Sequence, residues 1–520
     1  MTTIRFLVLA LALAGAGAPA WSAPSLPSNN VGWTVASADA DIERAFVQAR
    51  AQNKPVLLYW GATWCPPCNQ LKATLFNRQD FAAASRGFVA VHVDGDRPGA
   101  QRLGSRFKVS GYPTVVLFSP QGQEITRLPG EVEPEQMMEV LQLGMAGGRP
   151  VKAVLADARA GKGLTAGEWR LLAFYSWDTD EQQLVPKGEL PALLAELAAA
   201  GPPAQAEIST RLWLRALAAS DAGQGVKPDA ALREKVRRVL ADPAAARLHL
   251  DVLAGNAAAI VRALGDEGTP ERESLVAAFE ATLKRFEADP TLSRGDRVGA
   301  LISRIALARL GIPRDQAQVD LPAALRDQVR SHVMRDDKEI TDGYERQAVI
   351  TAGAYALGYA GLWDDSNALL KANLARSHSP YYLMSQLGGN ARKLGRHDEA
   401  LSWYEQAWTK SEGPATRLQW GSSYLAALID LSPKAVQRIE KTASAMIAEA
   451  AKDAGAFEGR SVRALQRMSK KLEGWRIGGH EAATLQRLRA LLGGVCGRLD
   501  AKSDQRATCQ ALLADAAKAG

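Results

Sequence analysis

A chain of 520 residues exceeds what one hydrophobic core usually holds, so two or three domains are expected. Its net charge of +7 comes from 63 Lys and Arg interspersed with 56 Asp and Glu, which suggests a solvated surface and argues against nucleic-acid binding. Six scattered histidines supply too few ligands for a metal site at the cysteines, and no phosphate- or dinucleotide-binding glycine loop is present, so neither metal nor cofactor is expected.

The first residues read as a secretory signal peptide over 1–20. Arg5 gives a small positive segment, Phe6 to Ala14 an apolar run, and Ala18-Pro19-Ala20 a small-residue cleavage pattern. Cleavage after Ala20 is preferred, because cleavage after Ala23 would put Trp21 at minus three and Pro24 directly after the cut. The apolar run is short for a membrane helix and no later stretch is longer, so a soluble chain in a bacterial periplasm is expected.

Pro55 to Trp60 is a short apolar run with strand character, and Cys68 to Phe76 carries helical spacing at Leu71, Leu75 and Phe76. Within Trp64-Cys65-Pro66-Pro67-Cys68, the first cysteine therefore falls where a strand hands over to a helix N-terminus. Free backbone N–H groups and the helix dipole favour an anion there, so Cys65 is the candidate nucleophile. Cys68, one turn on, has the spacing to attack a mixed disulfide at Cys65 and resolve it. Downstream, Gly87 to Asp94 reads as a strand with His92 an ordinary strand residue, Ala100 to Phe107 as a helix, and Thr114 to Phe118 and Ile125 to Leu128 as strands. Pro134 to Leu143 closes a β-α-β-α-β-β-α order.

That order, with Trp64, Cys65, Cys68, Asp94, Pro113 and Gly130, resembles the thioredoxin superfamily over residues 33–148. The resemblance implies an α/β thioredoxin fold and a cis Pro113 against the cysteine pair. It also implies that Trp64, Tyr112 and Pro113 position an extended substrate. The segment Trp64 to Phe76 with Asp80-Phe81 resembles the periplasmic thiol-reductase domains that end the transmembrane disulfide reductases, whereas Gly111-Tyr112-Pro113-Thr114 resembles protein disulfide isomerases. Many cytoplasmic thioredoxins bury an aspartate where this chain has Tyr59, which reads as core packing, so the Cys68 proton needs another route. Pro66-Pro67 adds no charge to stabilise a thiolate, which favours a reductant over an oxidase or isomerase. The implied partners are proteins or peptides with disulfides and, since a reductant in an oxidising compartment needs electrons, a membrane thiol reductase.

After Gly147-Gly148-Arg149-Pro150 the composition turns to Ala, Leu, Arg and Glu in helical periodicity, so the rest is expected to be all-α. Helix starts are predicted at Thr165, with Glu168 completing a capping box, at Thr269-Pro270 and at Ser432-Pro433. Residues 150–340 match no family pattern. In 341–520, Gly361 and Gly395 stand 34 positions apart in similar contexts, and Ala400 to Ala407 resembles the second helix of a tetratricopeptide repeat, so a TPR-like region is expected. Tyr381, Tyr382, Trp403, Tyr404, Trp408 and Trp420 read as core before they read as a peptide groove. Cys496 and Cys509 flank the polar turn Asp500 to Gln505 and are expected to form a structural disulfide. Two functions follow: a periplasmic protein-disulfide reductase whose helical region handles substrates, or an interaction or holdase protein using the thioredoxin fold for docking.

Overall fold

The computed structural model describes residues 31–181, 183–220, 225–313, 315–475 and 481–512, so the predicted signal peptide lies outside the described residues. Near the N-terminus, β1 (Thr34–Ala36), α1 (Asp39–Gln52), β2 (Val56–Gly61), α2 (Pro66–Thr74), α3 (Gln79–Ala84), β3 (Val89–Asp94), α4 (Ala100–Arg106), β4 (Thr114–Phe118), β5 (Glu124–Leu128) and α5 (Pro134–Met145) follow in order. They build one sheet in the order β1-β3-β2-β4-β5, with β1, β3 and β2 parallel and β4 and β5 antiparallel to their neighbours. This is the expected α/β architecture with β1 and α1 added at its start and the short helix α3 inserted before β3. β1 is three residues long, too short to display an alternation, and it joins the sheet only by pairing with β3.

Side chains alternate across the strands, and both faces are covered, which is why β2 reads as an unbroken apolar run. Val56, Leu58 and Trp60 face Ile42 and Phe46 of α1 and Leu103 of α4, while Leu57 and Tyr59 face Leu71 of α2, Phe81 of α3 and Leu141 of α5. The second core does not stop at residue 148. It runs on through Leu155, Trp169, Leu172 and Leu194 of the following helices. The edge strand β5 is covered as well: Ser176 N–H donates to Arg127 O at 2.9 Å, and the buried Arg127 guanidinium donates to the carbonyls of Phe107, Lys108 and Thr179.

Every described element beyond residue 150 is helical. Thr165 and Thr269 cap helices as their sequences predict, whereas Ser432 does not. Its N–H bonds Leu428 O and so closes the preceding helix, and the next begins at Val436. Helices pair as Gly343–Tyr359 with Trp363–Asn373 and as Pro380–Lys393 with His397–Lys410. Gly361 and Gly395 sit in the two intervening turns with φ of 78° and 71°, a region that costs other residues strain. Cys496 and Cys509 are disulfide-bonded across the turn that joins Glu481–Gly497 to Asp504–Ala511. Among the described residues no helix is long and apolar enough to cross a membrane.

The helical region curls back onto the first domain. Helix Gly343–Tyr359 packs on α2 and helix Gly459–Gly474 on α4, with hydrogen bonds from Gln70 Nε2 to Ser293 Oγ and from Gly99 N–H to Asp453 Oδ1.

Candidate active site

Cys65 is the N-cap of α2, in extended conformation, and Pro66-Pro67 occupy the first turn, where a missing N–H costs nothing. Its Sγ accepts the Cys68 N–H at 3.2 Å and is bonded to Cys68 Sγ. A thiolate at Cys65 would keep that donor and face the positive helix end. Burial opposes this, since Cys65 is 2% exposed and Cys68 fully buried.

A residue that sequence reasoning passed over fixes the turn. Asn69, fully buried, donates from Nδ2 to Thr63 O and Cys65 O, both at 2.8 Å, tying the strand end to the helix start. A polar residue directly after the second cysteine, on the inner face of α2, was the available signal.

The Tyr112-Pro113 bond is cis, as the resemblance implies, and a Cβ on Gly130 would come within 3.0 Å of Pro113 Cγ, so glycine lets β5's exit approach the proline. Tyr112 is held from behind by Gln101, whose Nε2 donates to its hydroxyl at 2.8 Å and to Gly95 O at 2.7 Å. Tyr59 lies in the core with its ring stacked on His92 at 4.9 Å and edge-on to Phe76 at 4.8 Å. Burial raises its phenol pKa far above the ordinary value and pushes His92 down to about 3.

No carboxylate stands at the Tyr59 position, but ionisable groups are buried nearby. Lys72 lies one turn beyond Cys68 on the same face of α2, is 4% exposed, and rests over the Tyr344 ring at 5.2 Å. Burial lowers its pKa to about 8, partly countered by Asp94. Asp94 is itself raised by burial and by the neighbouring charge of Asp96.

The helical region roofs this site. Trp64 stacks on Tyr382 at 5.7 Å and meets Trp420 edge-on at 6.5 Å, so two of the six singled-out aromatics receive a side chain of the first domain. Trp64 Nε1 donates to Asp96 at 2.7 Å, and Asp96 also accepts from Thr416 at 2.6 Å and from Arg460 Nη2 at 2.7 Å. The Arg460 guanidinium lies over Trp64 and Tyr112 at 4.9 and 5.5 Å from the ring centres. His378 Nε2 bonds Thr63 O at 3.0 Å; burial holds the ring below its ordinary pKa, and the bond to Thr63 O works against that. Between roof and floor runs a slot of about 260 Å³, lined by Cys65, Pro66, Tyr112, Tyr382, Arg460 and Arg463 among others.

Against known families, residues 42–144 match the one described as a thioredoxin-like domain. This part of the chain is a thioredoxin-like domain. It is similar to three thiol:disulfide interchange proteins: DsbD 2 of Pseudomonas aeruginosa (32% identical over 101 residues), DsbD of Klebsiella pneumoniae (30% over 130) and DsbD of Pseudomonas fluorescens (30% over 111). These alignments take in 19, 24 and 21% of this chain and 17, 21 and 19% of the relatives. The chain thus spans about a fifth of the length of the relatives it matches. The matched residues include the disulfide-bonded Cys65–Cys68 pair, and the helical remainder lies outside the family match.

Proposed function

We propose that the protein is a periplasmic thiol–disulfide oxidoreductase that reduces protein disulfides through Cys65 and Cys68. The observation that carries this is Cys65 at a helix N-cap, bonded to Cys68, with Tyr112 of the cis Tyr112-Pro113 pair packed against both. In the reduced enzyme, the Cys65 thiolate attacks one sulfur of a substrate disulfide. A Cys65–substrate bond forms and the other substrate sulfur leaves as a thiolate. Cys68, as thiolate, then attacks Cys65 Sγ, forming the Cys65–Cys68 disulfide and releasing the second substrate thiolate. Two electrons have passed to substrate, and a dithiol donor, proposed to be a membrane thiol reductase, restores the pair.

Trp64, Tyr112 and Pro113 act as the substrate-positioning surface, and Cys496–Cys509 as a structural staple at the chain's end. The helical region, with TPR-like repeats proposed over 341–520, roofs the site and restricts what reaches Cys65. Periplasmic location is supported by the leader-like residues 1–20 and by the thiol:disulfide interchange relatives.

The test uses pre-reduced full-length protein and a disulfide-bonded protein substrate. Wild type should reduce it stoichiometrically, Cys65→Ser should not, and Cys68→Ser should accumulate a mixed disulfide at Cys65. A pre-reduced wild type that leaves the substrate disulfide intact would put the interaction-protein reading in its place, and reduction undiminished by Cys65→Ser would overturn the role given to Cys65.

A further inference from the structure

One wall of the slot above the cysteines comes from outside the thioredoxin-like domain. Helix Gly459–Gly474 carries Arg460, Arg463 and Arg467 at i, i+3 and i+7, along one side. Arg460 and Arg463 line the slot with Cys65, and among the described residues no carboxylate lines it. Arg460 is nearly buried, and its Nη2 is engaged by Asp96 and Thr416. Its Nε and Nη1 are buried with no hydrogen-bond partner among the described residues. Asp96 already serves Trp64, Thr416 and Nη2. Arg463 donates to Ser110 O at 3.2 Å and lies 3.4 Å from Glu181. Arg467 is held below its ordinary pKa by burial and then by the like charges of Arg463 and Arg460.

Buried guanidinium N–H groups without acceptors are costly, and the guanidinium fork matches a carboxylate. Cys65 is almost fully covered, so what reaches it is narrow. We propose that Arg460 and Arg463 form an anion subsite that receives an Asp or Glu carboxylate flanking the reactive disulfide of an extended protein segment. This names the substrate class of the exchange reaction above and rests on that reading. The exchange chemistry is unchanged. The carboxylate binds without reacting and sets which disulfides are presented to Cys65.

The test uses the full chain and two peptide disulfides that differ only in Asp or Lys beside the reactive cysteine. Single-turnover exchange with pre-reduced protein should favour the Asp peptide by at least about tenfold, the preference shrinking as salt rises. Arg463→Glu should abolish or invert the preference, and Arg463→Gln, the milder variant, should reduce it. Binding of the same peptides with serine for cysteine, followed by tryptophan fluorescence, reads the subsite without exchange. Acid-selective binding without exchange would support the subsite and overturn the oxidoreductase reading. Exchange and binding indifferent to charge would overturn the subsite and leave that reading standing. Indifferent binding with no exchange would overturn both. An acid preference untouched by Arg463→Glu and by Arg460→Gln would also overturn the proposal, since the anion would then bind elsewhere.

Discussion

Asp96→Ala should open the roof over Cys65. Asp96 is the shared acceptor for Trp64 Nε1, Thr416 Oγ1 and Arg460 Nη2, and the Asp96 and Arg460 side chains are 13% and 12% exposed. Removing one member of a pair this buried leaves an uncompensated charge, at a cost of about 3–5 kcal/mol. Taken from the contact between Trp64 and the helical region, that loss raises the uncovered population by about two to nearly four orders of magnitude. The assay is alkylation of reduced Cys65 by a maleimide on a polyethylene glycol chain, too bulky for the slot, at a pH where the thiol is ionised in both proteins. If opening is fast relative to labelling, the rate follows that population and should rise by at least about a hundredfold. The double variant Asp96→Ala/Arg460→Leu leaves no orphaned charge and should label more slowly than Asp96→Ala alone. Equal labelling of wild type and Asp96→Ala would refute the reasoning.

Lys72→Met should stabilise the protein at pH 7. The folded-state pKa of about 8 lies below the ordinary lysine value of 10.5, so the charged lysine destabilises the folded form below pH 8, by about 3 kcal/mol. That penalty is relieved as pH rises from 8 towards 10.5, so the gain in thermal midpoint from the substitution should be largest at pH 7 and vanish near pH 10.5. Cys496→Ser/Cys509→Ser should destabilise the last two helices by about 3 kcal/mol, seen as faster amide exchange over 481–512 with the sheet unaffected.

The redox site was legible because its determinants are local: five residues hold the cysteine motif, and an apolar run before it and helical spacing after it fix strand and helix. The β-α-β-α-β-β-α order and the all-α remainder were likewise readable from periodicity, since each element buries a regular face. What was not readable depends on pairing across the chain. β1 exists through β3, and His378 reaches Thr63 across 315 positions. The aromatics Tyr382 and Trp420 look like core spacing in sequence, and their partner Trp64 becomes visible only when the helical region folds back. Ser432 carried a start signal, but its N–H was already committed to Leu428, and nothing in a Ser-Pro pair reveals that.

Two effects pull Cys65 in opposite directions. The helix N-terminus and the arginines of the slot favour its thiolate and hence the reduced form, while burial disfavours the charge. The uncharged Pro66-Pro67 pair and the proposed role weight the balance towards a reductant. The most direct measurement is the equilibrium potential of Cys65–Cys68 in a dithiothreitol or glutathione series, read by thiol trapping and mass spectrometry so that Cys496 and Cys509 are counted apart. The account predicts a value near thioredoxin's, about −270 mV, and a value of about −120 to −180 mV would contradict it and make the protein an oxidase or isomerase.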